Sequence, residues 1–402
     1  MPSDDRPHFL AFGGVDHTYR ALAELGCTYS LIQDKSLVTA YQQETAVHLV
    51  LCDYEDVQLC LELARAMHRR RPLGYVLCLS EYPQRAAAAI AVELGLPTNC
   101  EPFAIEHTRD KFRFRDLLDA LSVPNVPYRR VNSAQETEAF RAEAGGRIVV
   151  KPVSGAGSEG VYFVDAQEDT GRAFAHAQSV GREGVIAEKY VDGDEYSIET
   201  ISKNGVHELI AATRKTVSGF PHFVELAHVQ PFALGPRLGQ VQALVFQALD
   251  GLRHKTGPAH TEVKVDDKAV HIIESQIRPG GDQLWEITRL TSGMDVARET
   301  ICCLLGRPAP ERVKTHPYVA ICFFALAPTA LAKEEILADF RPHPNVIRAV
   351  IDKIPGHSLS LTHSALRSGY VMAHHDSLDA AHSLARTEAA RLVAHAADLE
   401  KR

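Results

Sequence analysis

Strand-like and helical runs alternate through the first hundred residues, and that alternation limits the fold more than any other feature of the chain. HFLAF (8–12) is followed by Gly13–Gly14 and a helical stretch to about Leu25. YSLIQ (29–33), AVHLVLC (46–52) and GYVLCLS (74–80) follow as apolar strands, with helical stretches near 55–69 and 84–94. Strands joined by helical crossovers pair in parallel, so this part reads as a doubly wound α/β sheet. Gly13–Gly14 lacks the GxGxxG spacing of a dinucleotide site and is read as a tight strand-to-helix turn.

The pattern breaks at GLPTNCEP (95–102). A helix carrying RDKFRFRDLLDAL (109–121) comes next, then SVPNVPY, whose two prolines mark a connection. From 128 to 190 the order is β-α-β-loop-β-α-β, small enough for a lid. Residues 190–305 are richer in strands and hairpins. A strand at 318–326 and a strand beginning at Gly369, followed by a long amphipathic helix, end the chain. Four segments result: 1–103, 104–190, 191–310 and 311–402. At 402 residues the chain is too long for one small domain. A net charge of −8 gives no basic footprint and argues against nucleic acid as a partner. The eight cysteines form no CxxC pair or framework spacing, which predicts reduced thiols and a cytoplasmic protein. The opening MPSDDRPHFLAF has no long apolar core, so no signal peptide is expected. Nor does any stretch reach the roughly 18 apolar residues of a membrane helix.

Three segments carry candidate chemistry. In RIVVKPVSGAGSEGVYFV (147–164), two β-rich runs flank a loop holding Ser154, Gly155, Gly157, Ser158 and Gly160, with Lys151 at the end of the first run. Glycines let backbone amides approach an anion, and the hydroxyls add donors. The Walker GxxxxGK[ST] is absent, and a plain flexible hairpin remains the alternative. In TEVKVDDKAVHIIESQIR (261–278), two strand-like runs flank the turn Asp266–Asp267–Lys268. A hairpin centred on Lys268 sets Glu262 opposite Glu274, where like charges repel unless a cation sits between them. Gln276 and Arg278 share the Glu274 face by the two-residue period, and two carboxylates with an amide oxygen suit magnesium. The alternative is a solvated hairpin. In IAEKYVDGDEYSIE (186–199), a strand ending at Glu188 runs through Lys189 and Val191, with Glu195 beyond the turn. Such a strand can present its backbone to a purine and its carboxylate to a ribose.

Taken in order, Lys111, Lys151, the loop 154–160, the strand 186–191 with Glu195, and the Glu262/Glu274/Gln276/Arg278 face resemble the ATP-grasp superfamily over about residues 1–305. The tail resembles the extra segment of its carboxylate–amine ligase branch. The resemblance implies an ATP-grasp fold with a Rossmann-like N-terminal domain, a mobile α+β lid and a mixed-sheet C-terminal domain. It further implies that Lys111 and Lys151 contact ATP phosphates, the loop closes over them, Glu188 and the backbone of Lys189 and Val191 hold adenine, and Glu195 holds ribose. Glu262, Glu274 and Gln276 would bind Mg2+, or Mn2+ in its place, and Arg278 would steady the transferring phosphoryl group. Where the superfamily usually has E-x-N, this chain has Glu274–Ser275–Gln276, one methylene longer.

GFPHFVELAHVQP (219–231) looks like the segment of bacterial L-amino-acid ligases in which a Glu and a His three residues on face the amino-acid site, here Glu225 and His228. Three positions apart on a regular strand, they point to opposite faces, so convergence needs a bend, for which Pro221 and Pro231 are candidates. In RPGGDQLWEI (278–287), Asp282 falls at an expected helix start whose free amides favour a carboxylate, and Trp285 walls the pocket or joins the core. The function implied is an ADP-forming ligase joining a small carboxylate to an amine through an acyl phosphate, with amino acids as substrates and a homodimer as the assembly. The alternatives are a carboxylase or formate-using purine-pathway enzyme, an ATP-grasp kinase, and a non-catalytic nucleotide-binding module.

Overall fold

The computed structural model describes residues 5–181, 183–266, 268–356 and 360–401. Asp267 of the hairpin turn and residues 1–4 of the opening segment lie outside them. The first unit alternates as the sequence does: β1 (His8–Phe12), α1 (Asp16–Glu24), β2 (Thr28–Gln33), α2 (Ala40–Thr45), β3 (His48–Leu51), α3 (Val57–Arg70), β4 (Tyr75–Cys78) and α4 (Gln84–Leu94). Its four strands run parallel in the order β3-β2-β1-β4. Gly13 is the tight turn expected: its φ is +55°, and a Cβ there would lie 2.9 Å from Ser80 Oγ. Helix α2 was not anticipated, although Thr39 and Gln42 form a capping box across its first turn.

Helices α5 (Pro102–Thr108) and α6 (Lys111–Ala120) lead into the lid, which has β5 (Tyr128–Val131), α7 (Ala134–Ala144), β6 (Ile148–Pro152), β7 (Tyr162–Val164), α8 (Thr170–Val180) and β8 (Val185–Lys189). This is the element order read from 128 to 190, folded as an antiparallel sheet β5-β8-β6-β7 under two helices. The remaining elements are β9 (Asp194–Lys203), β10 (Val206–Val217), β11 (Glu225–Gln230), α9 (Leu238–Gly251), β12 (Gly257–Val265), β13 (Val270–Gln276), α10 (Leu284–Ser292), α11 (Val296–Leu304), β14 (Tyr318–Phe324), α12 (Lys333–Ala338), β15 (Val346–Ile351), β16 (Gly369–His375) and α13 (Leu378–Glu400).

Their strands form one eight-stranded sheet, β13-β12-β9-β10-β11-β14-β16-β15, in which every neighbouring pair is antiparallel. Parallel pairing is confined to the N-terminal sheet, so the mixture of strand directions lies between sheets and not within this one. Because β14 pairs with β11, the segment after 310 continues the same sheet. One apolar cluster joins Leu10, Ile90, Phe114, Ile198, Val245 and Ile272, which ties the N-terminal unit and α6 to the large sheet. The eight cysteines are free thiols. Among the described residues no helix is long and apolar enough to cross a membrane.

Candidate active site

A cleft of about 290 Å³ opens between the lid and the large sheet. Every candidate named from the sequence lines it except Ser154, Gly160 and Trp285. Ser154 stands beside Glu183 and helps hold its carboxyl below the ordinary range. Gly160 backs onto Pro152: its φ is +75°, and a Cβ there would sit 2.7 Å from Pro152 Cγ, so it turns the loop without facing the cleft. The loop itself is docked. Lys111 Nζ donates to the Gly155 carbonyl at 2.9 Å, Ser158 Oγ to the Phe223 carbonyl at 3.3 Å, and the Ser364 amide to the Gly157 carbonyl at 3.1 Å.

Glu262 and Glu274 are cross-strand partners, as expected, but the hairpin gets there differently. Near the turn Val265 pairs with Val270 and Lys264 with His271, a register that is not centred on Lys268. A bulge beside Val263, which leaves Ile273 unpaired, shifts the register by one and brings the two glutamates opposite. Gln276 Nε2 donates to Glu274 Oε1 at 2.5 Å, so the amide already leans toward the carboxylate it would share a metal with. Among the described residues no group of three His, Cys, Asp or Glu side chains could hold a metal by itself. Two carboxylates and an amide oxygen therefore fit a hard cation such as Mg2+ whose shell is completed by phosphate and water.

A lysine of the protein stands beside Glu262, among three carboxylates. Lys215, on β10, places Nζ 2.6 Å from Glu195, 2.7 Å from Glu262 and 3.5 Å from Glu225, with its side chain 2% exposed. Burial alone would lower its pKa, yet the three carboxylates raise it well above the ordinary value. His260 stands beside Glu262 and donates from Nδ1 to Glu199 at 2.6 Å; against the effect of burial, Glu199 and Glu262 lift it to about 9. No sequence motif marked Lys215, His260 or Glu199. The signal available was the two-residue period, which puts Lys215 opposite His228 and Glu262 opposite Ser197 on the same sheet.

Glu188 lines the cleft, but its carboxylate is held by Arg115 Nε at 2.8 Å and Lys151 Nζ at 2.7 Å. Burial raises its pKa, and these two cations outweigh that, leaving it at about 2. The same pair fixes the position of Lys151 Nζ. The Lys189 amide donates to the Pro127 carbonyl, and the Val191 carbonyl accepts from Lys264 Nζ. Arg278 lines the cleft with its guanidinium on Glu81, which also binds Arg109 at 2.5 Å.

At the other side of Lys215 lie Glu225 and His228, both lining the cleft. They converge because of a bulge: β10 pairs Thr216 with Ala227 and Val217 with Glu225, skipping Leu226 and reversing the parity between the two residues. Neither Pro221 nor Pro231 does this, since both lie outside β11. Asp282 is not at a free helix start: Gln283 caps α10, and the Asp282 carboxylate is held by His228 and Arg367. Trp285 stacks on His17 and packs near Ile201, Met294 and Val296, away from the cleft, which settles the two readings in favour of the core.

Residues 145–286 match the family model for the ATP-grasp domain. The chain is 26% identical over 249 residues to alanine–anticapsin ligase of Bacillus subtilis, covering 54% of this chain and 52% of that one. It is 22% identical over 297 residues to the carbamoyl phosphate synthase large chain of Xanthomonas axonopodis pv. citri, covering 71% of this chain and 27% of that one. It thus spans about half or less of the length of these curated relatives. An L-amino acid ligase from Bacillus licheniformis superposes with a TM-score of 0.80 at 20% identity, covering 95% of this chain and 97% of that one. The chain therefore carries an ATP-grasp domain on the ATP-grasp fold, with relatives in the carboxylate–amine ligase branch.

Proposed function

We propose that this protein is an ADP-forming carboxylate–amine ligase that makes an amide or peptide bond, with an amino acid as at least one substrate. The observation that carries this reading is the bulge in β11, which turns Glu225 and His228 into a cleft already lined by Lys111, Lys151 and the glycine loop. A carboxylate and an imidazole beside the phosphate side suit an incoming ammonium. They do not suit a bicarbonate or formate anion, which is what the carboxylase alternative requires.

On this reading ATP lies along β8 and the loop 154–160, with Glu195 toward the ribose. Lys111 and Lys151 bind the phosphates, and Arg278 faces the γ-phosphoryl group. Glu262, Glu274 and Gln276 would hold Mg2+, which neutralises phosphate charge as phosphoryl transfer proceeds. A substrate carboxylate oxygen attacks the γ-phosphorus in line, ADP departs, and an acyl phosphate results. Glu225 takes the amine's positive charge, His228 takes its proton, and the nitrogen attacks the acyl carbon with loss of phosphate. The cytoplasmic location expected from the cysteines and the homodimer expected from the resemblance belong to the same proposal, the latter testable by light scattering.

The test is a matrix of amino acids and small acids incubated with Mg-ATP, followed for phosphate release and read by mass spectrometry. ADP, phosphate and a product equal to acid plus amine less water are expected. AMP with pyrophosphate, a phosphorylated end product, or phosphate release that depends on bicarbonate overturns the reading.

A further inference from the structure

The segment before β16 reaches back to the acceptor side of the cleft and brings Arg367 onto Asp282. Arg367 Nη1 donates to Asp282 Oδ2 at 2.8 Å, and Nη2 contacts Oδ1. Two further donors of the guanidinium are engaged as well: Nε bonds the Ser364 carbonyl at 2.9 Å and Nη1 the Glu225 carbonyl at 3.1 Å. Its plane lies 3.8 Å from the centre of the Phe323 ring, from β14. Phe323 in turn stands edge-on to His228 at 5.7 Å. An arginine so tied down fixes Asp282 and the backbone of Glu225.

Asp282 is in contact with His228 Nε2, 3.1 Å from its Oδ2. Burial would raise the Asp282 carboxyl, but the bonds from His228 and Arg367 hold it well below the ordinary range, so it is an ionised acceptor. The proton of that bond therefore sits on His228 Nε2, and in the neutral ring this leaves the lone pair on Nδ1. His228 is 2% exposed and lines the cleft, and its Nδ1 is buried with no hydrogen-bond partner among the described residues. A buried imidazole nitrogen left unpaired costs free energy unless something occupies it during turnover.

We infer that Arg367 and Asp282 are positioning residues that present His228 Nδ1 as the base for the acceptor amine, so that the segment after 310 completes the amide-forming half of the site. The inference rests on the ligase reading. The amino acid arrives as an ammonium and gives one proton to Nδ1, and Asp282 stabilises the imidazolium that forms. The freed nitrogen lone pair makes the C–N bond at the acyl carbon, and the C–O bond to phosphate breaks with its electron pair. The second N–H proton leaves with the phosphate. The logic is that of a nucleophile, a base and a carboxylate that orients the base.

Hydroxylamine tests this because it is largely unprotonated at neutral pH and attacks an acyl phosphate without help from a base. With a mixture of the twenty protein amino acids and Mg-ATP, the full-length protein should make dipeptides alone and hydroxamates when hydroxylamine is added. Asp282→Asn should lower the ratio of dipeptide to hydroxamate by about 10²-fold. Arg367→Met should lower it by about tenfold, and Arg367→Lys should restore part of it. If the ratio holds in Asp282→Asn while both products fall together, the two residues serve the fold or the ATP side and the inference fails. If wild type yields neither product, the ligase reading fails first.

Discussion

Replacing Lys215 by methionine removes one buried ammonium and leaves three carboxylates without it. Each of the contacts at 2.6 and 2.7 Å is worth about 6 kcal/mol of attraction at an effective dielectric constant of about 20, and the one at 3.5 Å somewhat less. Most of that is offset by the desolvation of a side chain only 2% exposed, and by repulsion among Glu195, Glu225 and Glu262. Breaking a buried ion pair by removing one partner costs about 3–5 kcal/mol, and methionine fills the lysine stem's volume, so packing adds little. Without metal, urea unfolding of Lys215→Met should therefore shift to lower midpoint by an amount of that order. Adding Mg2+ should return part of the loss, because Glu262 regains a counter-ion, and should stabilise the variant more than wild type. Equal midpoints for variant and wild type in metal-free buffer would refute the assignment of Lys215 as the cation that holds these acids together.

Glu274→Gln should lower turnover at least about 10²-fold while changing metal-free stability by less than about 1 kcal/mol, since Lys111 Nζ is 3.8 Å away; steady-state kinetics and urea midpoints check both. Inserting an alanine between Thr216 and Val217 gives Leu226 a partner, removes the bulge and sends Glu225 and His228 to opposite faces, so amine-dependent turnover should fall about 10²-fold while ATP binding by titration stays near wild type. Glu188, at about 2 in the fold against an ordinary 4.5, contributes stability that is present above pH 4.5 and lost as pH falls toward 2. Acid titration of Glu188→Gln should lack about 3 kcal/mol of that loss; an unchanged acid profile would contradict the Arg115–Glu188–Lys151 network.

The alternation of β1 to β4 with their helices was legible because apolar runs and glycine turns are local properties. The lid's order was legible for the same reason. Residues acting through backbone and loop spacing, such as Lys111, Gly157 and Glu195, could be placed in one cleft from order alone. Register could not. Glu262 and Glu274 face each other through a bulge that compensates for an off-centre turn, and Glu225 and His228 meet through another, and no pattern of hydrophobicity announces a single skipped residue. Lys215 was passed over because a lysine inside a strand reads as a solvated face; only the strand partners show that it points at three acids. Arg367 was invisible because its partner Asp282 is 85 residues distant in sequence.

The central claim is that a substrate carboxylate is activated by the γ-phosphoryl group of ATP. Oxygen-18 in the carboxylate of the acid that the screen selects tests it most directly, with the inorganic phosphate released read by mass spectrometry. One labelled oxygen per phosphate, with ADP as the nucleotide product, is expected, because the carboxylate oxygen that attacks phosphorus leaves with it when the amine attacks the acyl carbon. Unlabelled phosphate, or label recovered in AMP, would contradict the acyl-phosphate route and the role assigned to this cleft.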